Sequence, residues 1–333
     1  MNGSGGAISE SKAAGLRLSL AHGPWLQVTA LIGVYTACSA SIPGFNSRSS
    51  LYSILVLAAF LGLAAVGQTL VILIGGIDLS VPGIIGAANL ATAGLSGHGW
   101  PFVLVVLTVL LAAALLGGVA GWLTREFRVP AMIVTLATGA IAAGALLGTT
   151  DGGQVTGQVP AWLSTFSSPI GHVGGIPIPP VIVLWACVSF VFIAGLRVTV
   201  FGRHLYATGA NERAATLALV RTRRIWIASF AISAIFSALV GILLTGFSGT
   251  GNPDVGSTYL FTGLAAVLVG GTSLVGARGD YSRTIIGALT MTLLTTFLLG
   301  RGYGPATQQI LIGLLILAVV ALYGRERRIR DEI

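Results

Sequence analysis

The sequence predicts an all-α, polytopic membrane protein of about ten transmembrane helices. Three observations carry this. Charged residues make up 8% of the 333, and hydrophobic residues 54%. A soluble domain carries about 25% charged residues. The few charges are separated by long gaps, as from Leu79 to Thr124, Val129 to Thr150, Gly152 to Leu196 and Val255 to Ala277. Mean hydropathy is +0.91. An ordinary cytosolic enzyme, a nucleic-acid binder and a disordered chain are excluded on these grounds.

A bilayer needs about 20 apolar residues per helix, and a central charge costs roughly 2.5–3.5 kcal/mol on insertion scales. Cutting the gaps at turn residues gives spans at 25–43, 52–74, 82–96, 102–123, 131–149, 181–197, 225–247, 259–276, 284–300 and 306–323. Gly97–Pro101 divides the longest early gap, and the Gly/Pro-rich stretch 150–180 reads as an outer loop. Residues 1–24 form an N-terminal tail, 25–323 the membrane domain and 324–333 a basic tail, with an inner loop at 198–224. With both termini in the cytoplasm, 16 of the 18 Lys and Arg fall inside, leaving only Arg48 and Arg301 outside. This is the positive-inside distribution. It explains the net charge of +8 without a nucleic-acid partner.

The first span follows Lys12 and Arg17, as in a signal anchor; the small cluster Ala37-Cys38-Ser39-Ala40 keeps a cleavable signal as the rival. Cys38 and Cys187 have no metal-ligand spacing and read as buried, inert thiols. No metal or cofactor is expected. No ionisable residue lies near the middle of a span by this reading, which argues against proton coupling. Uncharged polar residues do, among them Gln68, Asn89, Thr135, Thr138 and Thr292. They either line a path for a neutral, hydroxyl-rich solute or bond neighbouring helices together. Gly117/Gly121 and Gly144/Gly148 have the spacing of close helix packing. Walker A, G-x-S-x-G and H-E-x-x-H motifs are absent, so energy for uphill transport has to come from another chain.

After the second span comes Gly75-Gly76-Ile77-Asp78-Leu79-Ser80-Val81-Pro82. The glycine pair ends one helix, Asp78 or Ser80 caps the next, and Pro82 suits its first turn. Val267–Leu274, with Gly270-Gly271, echoes Ile72–Leu79, and each is followed by Ile-Ile-Gly-Ala. This suggests a parallel internal repeat. In the inner loop, Asn211 and Glu212 start a short helix whose Ala214, Ala215, Leu217 and Ala218 form an apolar patch among arginines. That helix either docks a cytoplasmic partner or is a solvated connector.

Several of these blocks resemble one family. Thr69–Val81, Val129–Thr138, the Gly-Arg-x-x-Tyr-Ala-x-Gly-x-Asn-Glu run from Gly202 to Glu212, Ala265–Leu274 and Gly174–Pro180 are similar, in order, to blocks of the monosaccharide ABC-importer permeases, of ribose, galactose and xylose type, with the autoinducer-2 permeases close by. Pro82 stands where that family commonly has Gly, and Gly276–Tyr281 varies a loop usually richer in Gly and Lys. Branched-chain amino-acid permeases share the broad fold but usually lack the Ile-Asp-Leu-Ser run. The resemblance implies a non-enzymatic permease subunit in the bacterial inner membrane, paired with a second permease copy or homologue. A cytoplasmic ATPase and an external sugar-binding protein would complete the complex. It implies a coupling role for Gly202, Arg203, Tyr206, Gly209, Asn211, Glu212, Arg213, Ala214 and Ala215, and a hinge at Gly75, Gly76, Asp78, Ser80, Gly270 and Gly271. A self-sufficient channel is the alternative of another class.

Overall fold

The computed structural model describes residues 25–148, 153, 155–156 and 159–331, with side chains through 321. The tail 1–24, Asp151 and the side chains of the basic C-terminal tail lie outside the described residues. Apolar sequence with few breakers folds into helices α1 (Trp25–Ser41), α2 (Arg48–Leu73), α3 (Val81–Gly97), α4 (Phe102–Phe127), α5 (Ala131–Leu147), α6 (Ala161–Ser167), α7 (Pro180–Val198), α8 (Val200–Ala210), α9 (Glu212–Leu217), α10 (Thr222–Ser248), α11 (Ser257–Val269), α12 (Tyr281–Gly300) and α13 (Pro305–Asp331). Strands β1 (Val155–Thr156) and β2 (Thr250–Gly251) pair antiparallel, with Val155 opposite Gly251. Each expected span meets a helix. Among the described residues, α2, α4, α7, α10 and α12 are long and apolar enough to cross a membrane, and α5, α11 and residues 305–321 of α13 are shorter apolar helices.

The core is built around α2, in which every residue from Ala58 to Leu73 is buried. It packs on α10, which also carries α3 and α4. Close approach is set by small residues. A Cβ on Gly117 or Gly121 would run into the backbone of α10, at Phe230 O and Trp226 O. Gly144, of the second small pair, has nothing within 4 Å, so this spacing packs one helix pair and leaves the other on the surface. Leu104, Leu107, Leu111 and Leu115 of α4 point outward, as expected of a bilayer-facing surface.

Three expectations need correction and one needs extension. The 259–276 span ends at Val269, because Gly271 adopts φ +89 and turns the chain. The outer stretch 150–180 is not all loop: Leu163 and Ser167 of α6 are buried, and Leu163 lies against Gly246 of α10. Within the inner connection 198–224, α9 is the short helix expected from Asn211 and Glu212, and α8 is a second helix that was not expected. Cys187 is exposed, on the outward side of α7, whereas Cys38 is buried.

Gly117→Leu should therefore lower the stability of the detergent-solubilised protein by roughly 1–3 kcal/mol, the usual cost of overpacking, while Gly144→Leu should leave it unchanged. Thermal unfolding monitored by circular dichroism measures both.

Candidate functional site

Two places bring the polar residues together. The first lies inside the bundle. α2 stops at Leu73, and Gly75 takes φ +82, with Gly76 N donating to Val71 O at 2.9 Å. This is the left-handed turn that glycine makes without strain. The next residues do not leave the bundle. They run back along α2, so that Gln68 Nε2 donates to Asp78 O at 2.7 Å. Gln68 lies five residues before the end of α2, about 7.5 Å along a helix axis. Asp78 is 1% exposed. Its Oδ1 accepts from Ser80 N at 2.9 Å and Ser80 Oγ at 2.5 Å, and its Oδ2 from Ser233 Oγ, mid-way along α10, at 2.6 Å. Thr135 of α5 accepts from Leu79 N at 3.0 Å. The non-helical segment 74–80 is thus bonded to α2, α5 and α10, and α3 starts within the bundle rather than at its surface.

The second place lies at the basic end of the molecule. Thr199 and Asn211 cap α8 and α9, with Asn211 Oδ1 accepting from Ala214 N at 3.0 Å. Glu212 pairs with Arg125 of α4 at 2.5 Å, and Glu126 with Arg223 of α10 at 3.3 Å. Arg197 pairs with Asp280 at 2.6 Å. Tyr206 Oη donates to Gly279 O at 2.8 Å. Burial, then the nearby Asp280 carboxylate, push the Tyr206 phenol up to about 12, so it remains a donor throughout the physiological range. Gly209 lies against Leu73 O, where a Cβ would collide. Gly75, Arg125, Arg128, Glu212, Arg213 and Trp226 line an open cavity of about 730 Å³ beside α9.

Residues 50–320 match the permease family described as the branched-chain amino acid transport system, permease component. The ribose import permease protein of Haemophilus influenzae is 36% identical over 295 residues, 87% of this chain and 90% of that protein. The corresponding Bacillus subtilis protein is 33% identical, over 90% of this chain and 91% of its own length. The chain belongs to the monosaccharide ABC-importer permease family. The autoinducer 2 import system permease of Enterobacter sp. is 31% identical over 91% of the permease and 86% of its own length. No solved structure matches this chain. The permease is a multi-pass protein of the bacterial inner membrane.

Several residues expected to serve separate purposes meet in the permease at one network. Gln68 and Thr135, read as path-lining or packing residues, bond the segment that contains Asp78 and Ser80. The interior is therefore not free of ionisable groups. Asp78, placed by its sequence position at a span end, is carried inward by the non-helical stretch 74–80, which no helical periodicity marks. Ser80 takes the capping position of α3 but makes no side-chain cap bond, because its hydroxyl is turned to Asp78. Asn89 is a brace: its Nδ2 donates to Gly241 O and Thr245 Oγ1 at 3.1 and 2.8 Å, and its Oδ1 accepts from Asn252 N at 2.6 Å. Thr138 bonds Val134 O in its own helix, and Thr292 is buried in α12. The glycine repeat recurs as geometry, one residue out of sequence register. Gly271, not Gly270, matches the left-handed Gly75, and Thr272 N bonds Val267 O as Gly76 N bonds Val71 O. Sequence reasoning missed Ser233. Its signal was the Ser229, Ser233, Ser237 series on one face of α10, all fully buried.

Asp78→Ala would strand the buried hydroxyls of Ser80 and Ser233. It should destabilise the permease by about 2–3 kcal/mol, with Ser233→Ala costing about 1 kcal/mol and Asp78→Asn falling between. Unfolding midpoints in one detergent give the order.

Proposed function

We propose that this chain is the membrane-spanning subunit of an importer for a monosaccharide or a similar polyol, worked by separate ATPase subunits on its basic face. Both termini and that face are then cytoplasmic, a second permease copy or homologue completes the pathway, and an external sugar-binding protein delivers the solute. The relatives from H. influenzae and B. subtilis are ribose import permeases, and a neutral, hydroxyl-rich cargo agrees with the uncharged residues Thr138 and Thr292 in the spans. The branched-chain description attached to the family fits less well. An amino-acid zwitterion needs charged partners, and the buried Asp78 is already engaged by Ser80 and Ser233.

The observation that carries the reading is α9. It projects at the basic face with Leu217 85% exposed and Leu219, just past its end, 90% exposed, next to exposed Arg213 and Ala214. Leu219 adopts φ +62, a left-handed conformation costly for a bulky side chain. Water-exposed leucines, one of them strained, beside an arginine suit insertion into a groove on another protein. The docking surface thus consists of Arg213, Ala214, Leu217 and Leu219. Glu212 faces Arg125 instead, and Ala215 is buried.

Leu217→Asp combined with Leu219→Asp should abolish co-purification with the ATPase subunits and ATP-driven uptake of ribose into proteoliposomes, while the permease still inserts and folds. Wild-type uptake by that double variant would refute the docking surface. Flux through the permease reconstituted without any ATPase would favour a channel.

A further inference from the structure

The segment 202–219 divides, in three dimensions, into an outward and an inward part. Arg213 and the leucines that follow it face solvent, but Tyr206 and Gly209 face the bundle. Gly209 packs its Cα on Leu73 O, the last turn of α2, and a Cβ on it would stand 2.9 Å from Ala277 N. Ala277 N itself donates to Leu73 O at 2.8 Å. A Cβ on Gly276 would be 3.0 Å from Gly209 O and 3.1 Å from Gly75 N. Three backbones therefore meet with no side chain between them: the end of α8, the turn that opens segment 74–80, and the loop that precedes α12. Tyr206 adds the bond to Gly279 O in that same loop. The loop is held in an unusual shape, with Gly276, Ala277 and Gly279 at φ +91, +58 and +139. A left-handed alanine persists only where its surroundings over-determine it. Contact between backbones leaves little slack, so a displacement of one passes to the others.

We propose that Tyr206 and Gly209 are positioning residues that carry movement of α8 and α9 into both hinge segments, so that α3 and α12 move together. Gly209 bears on both segments. Tyr206 holds only the loop before α12. The proposal rests on the reading of the chain as an importer subunit, and adds that half of its coupling segment works on the permease itself rather than on the ATPase.

The test needs no identified solute. In a Cys38→Ala, Cys187→Ala background, spin labels are placed at the exposed ends of α3 and α12 through His98→Cys or Leu299→Cys. Each is paired with a reference label on α7 through Phe190→Cys. Distances are measured by electron–electron resonance in the complex with its ATPases, without nucleotide and with MgATP and vanadate. Otherwise unsubstituted, both distances should change on nucleotide trapping. Tyr206→Phe should keep ATPase activity and the α3 change but lose the α12 change. Gly209→Ala should perturb both, and if it fails to fold Tyr206→Phe suffices alone. A structural role for Tyr206 would diminish the two changes equally. That result, or unaltered movement of α12 in Tyr206→Phe, or no movement of either helix before substitution, overturns the proposal. Failure of the unsubstituted chain to bind ATPases at all would overturn the importer reading itself.

Discussion

The Asp78 carboxylate, enclosed among apolar helices with only hydroxyl and amide donors around it, is the constraint on which the rest of the structure depends. Burying a charge-bearing group and a stretch of non-helical backbone inside a membrane bundle is tolerable only if their polar groups are met by protein. Ser80, Ser233, Gln68 and Thr135 supply those partners from the segment itself and from α10, α2 and α5. In doing so they fix where α3 begins. A helix start held by side chains of three neighbours is well defined in position. It also responds to any shift among those neighbours.

The second hinge, residues 270–280, is built differently. It is longer, carries Arg278 and Asp280, and lies at the basic surface, tied to α7 by Arg197–Asp280 and to α8 by Tyr206. The two hinges share their turn geometry and meet at Leu73 and Ala277. The first has its polar end, Asp78 and Ser80, buried in the interior, and the second is reachable from outside. A protein that must convert an event at its surface into movement in its interior needs such a pair, because packed cores pass on displacements rather than absorb them.

Much of this was legible in the sequence. Charge gaps cut at turn residues put a helix at each expected span, since a charge in lipid is costly wherever it falls, and five of the described helices are long and apolar enough to cross a membrane. Gly75 and the Asn211 cap were readable because left-handed turns and helix starts demand particular residues. The depth of Asp78 was not readable. Sequence distance from a helix end says nothing about whether the chain then proceeds outward or doubles back, and only the tertiary partners Gln68 and Ser233 decide it. The same limit hid the inward orientation of Tyr206 and Gly209. Spacing within one motif cannot show that its halves face opposite ways. Nor could the short α6 be seen, because its apolar residues sit among the Gly and Pro that dominate that stretch.

The central claim is that residues 74–80 return into the bundle. Reactivity of single cysteines toward a membrane-impermeant maleimide applied from the basic face tests it most directly, in a background lacking Cys38 and Cys187. Ser80→Cys should be refractory, and Leu219→Cys should react rapidly. If Ser80→Cys reacts as fast as Leu219→Cys in the folded protein, the segment is an ordinary surface loop and the account fails.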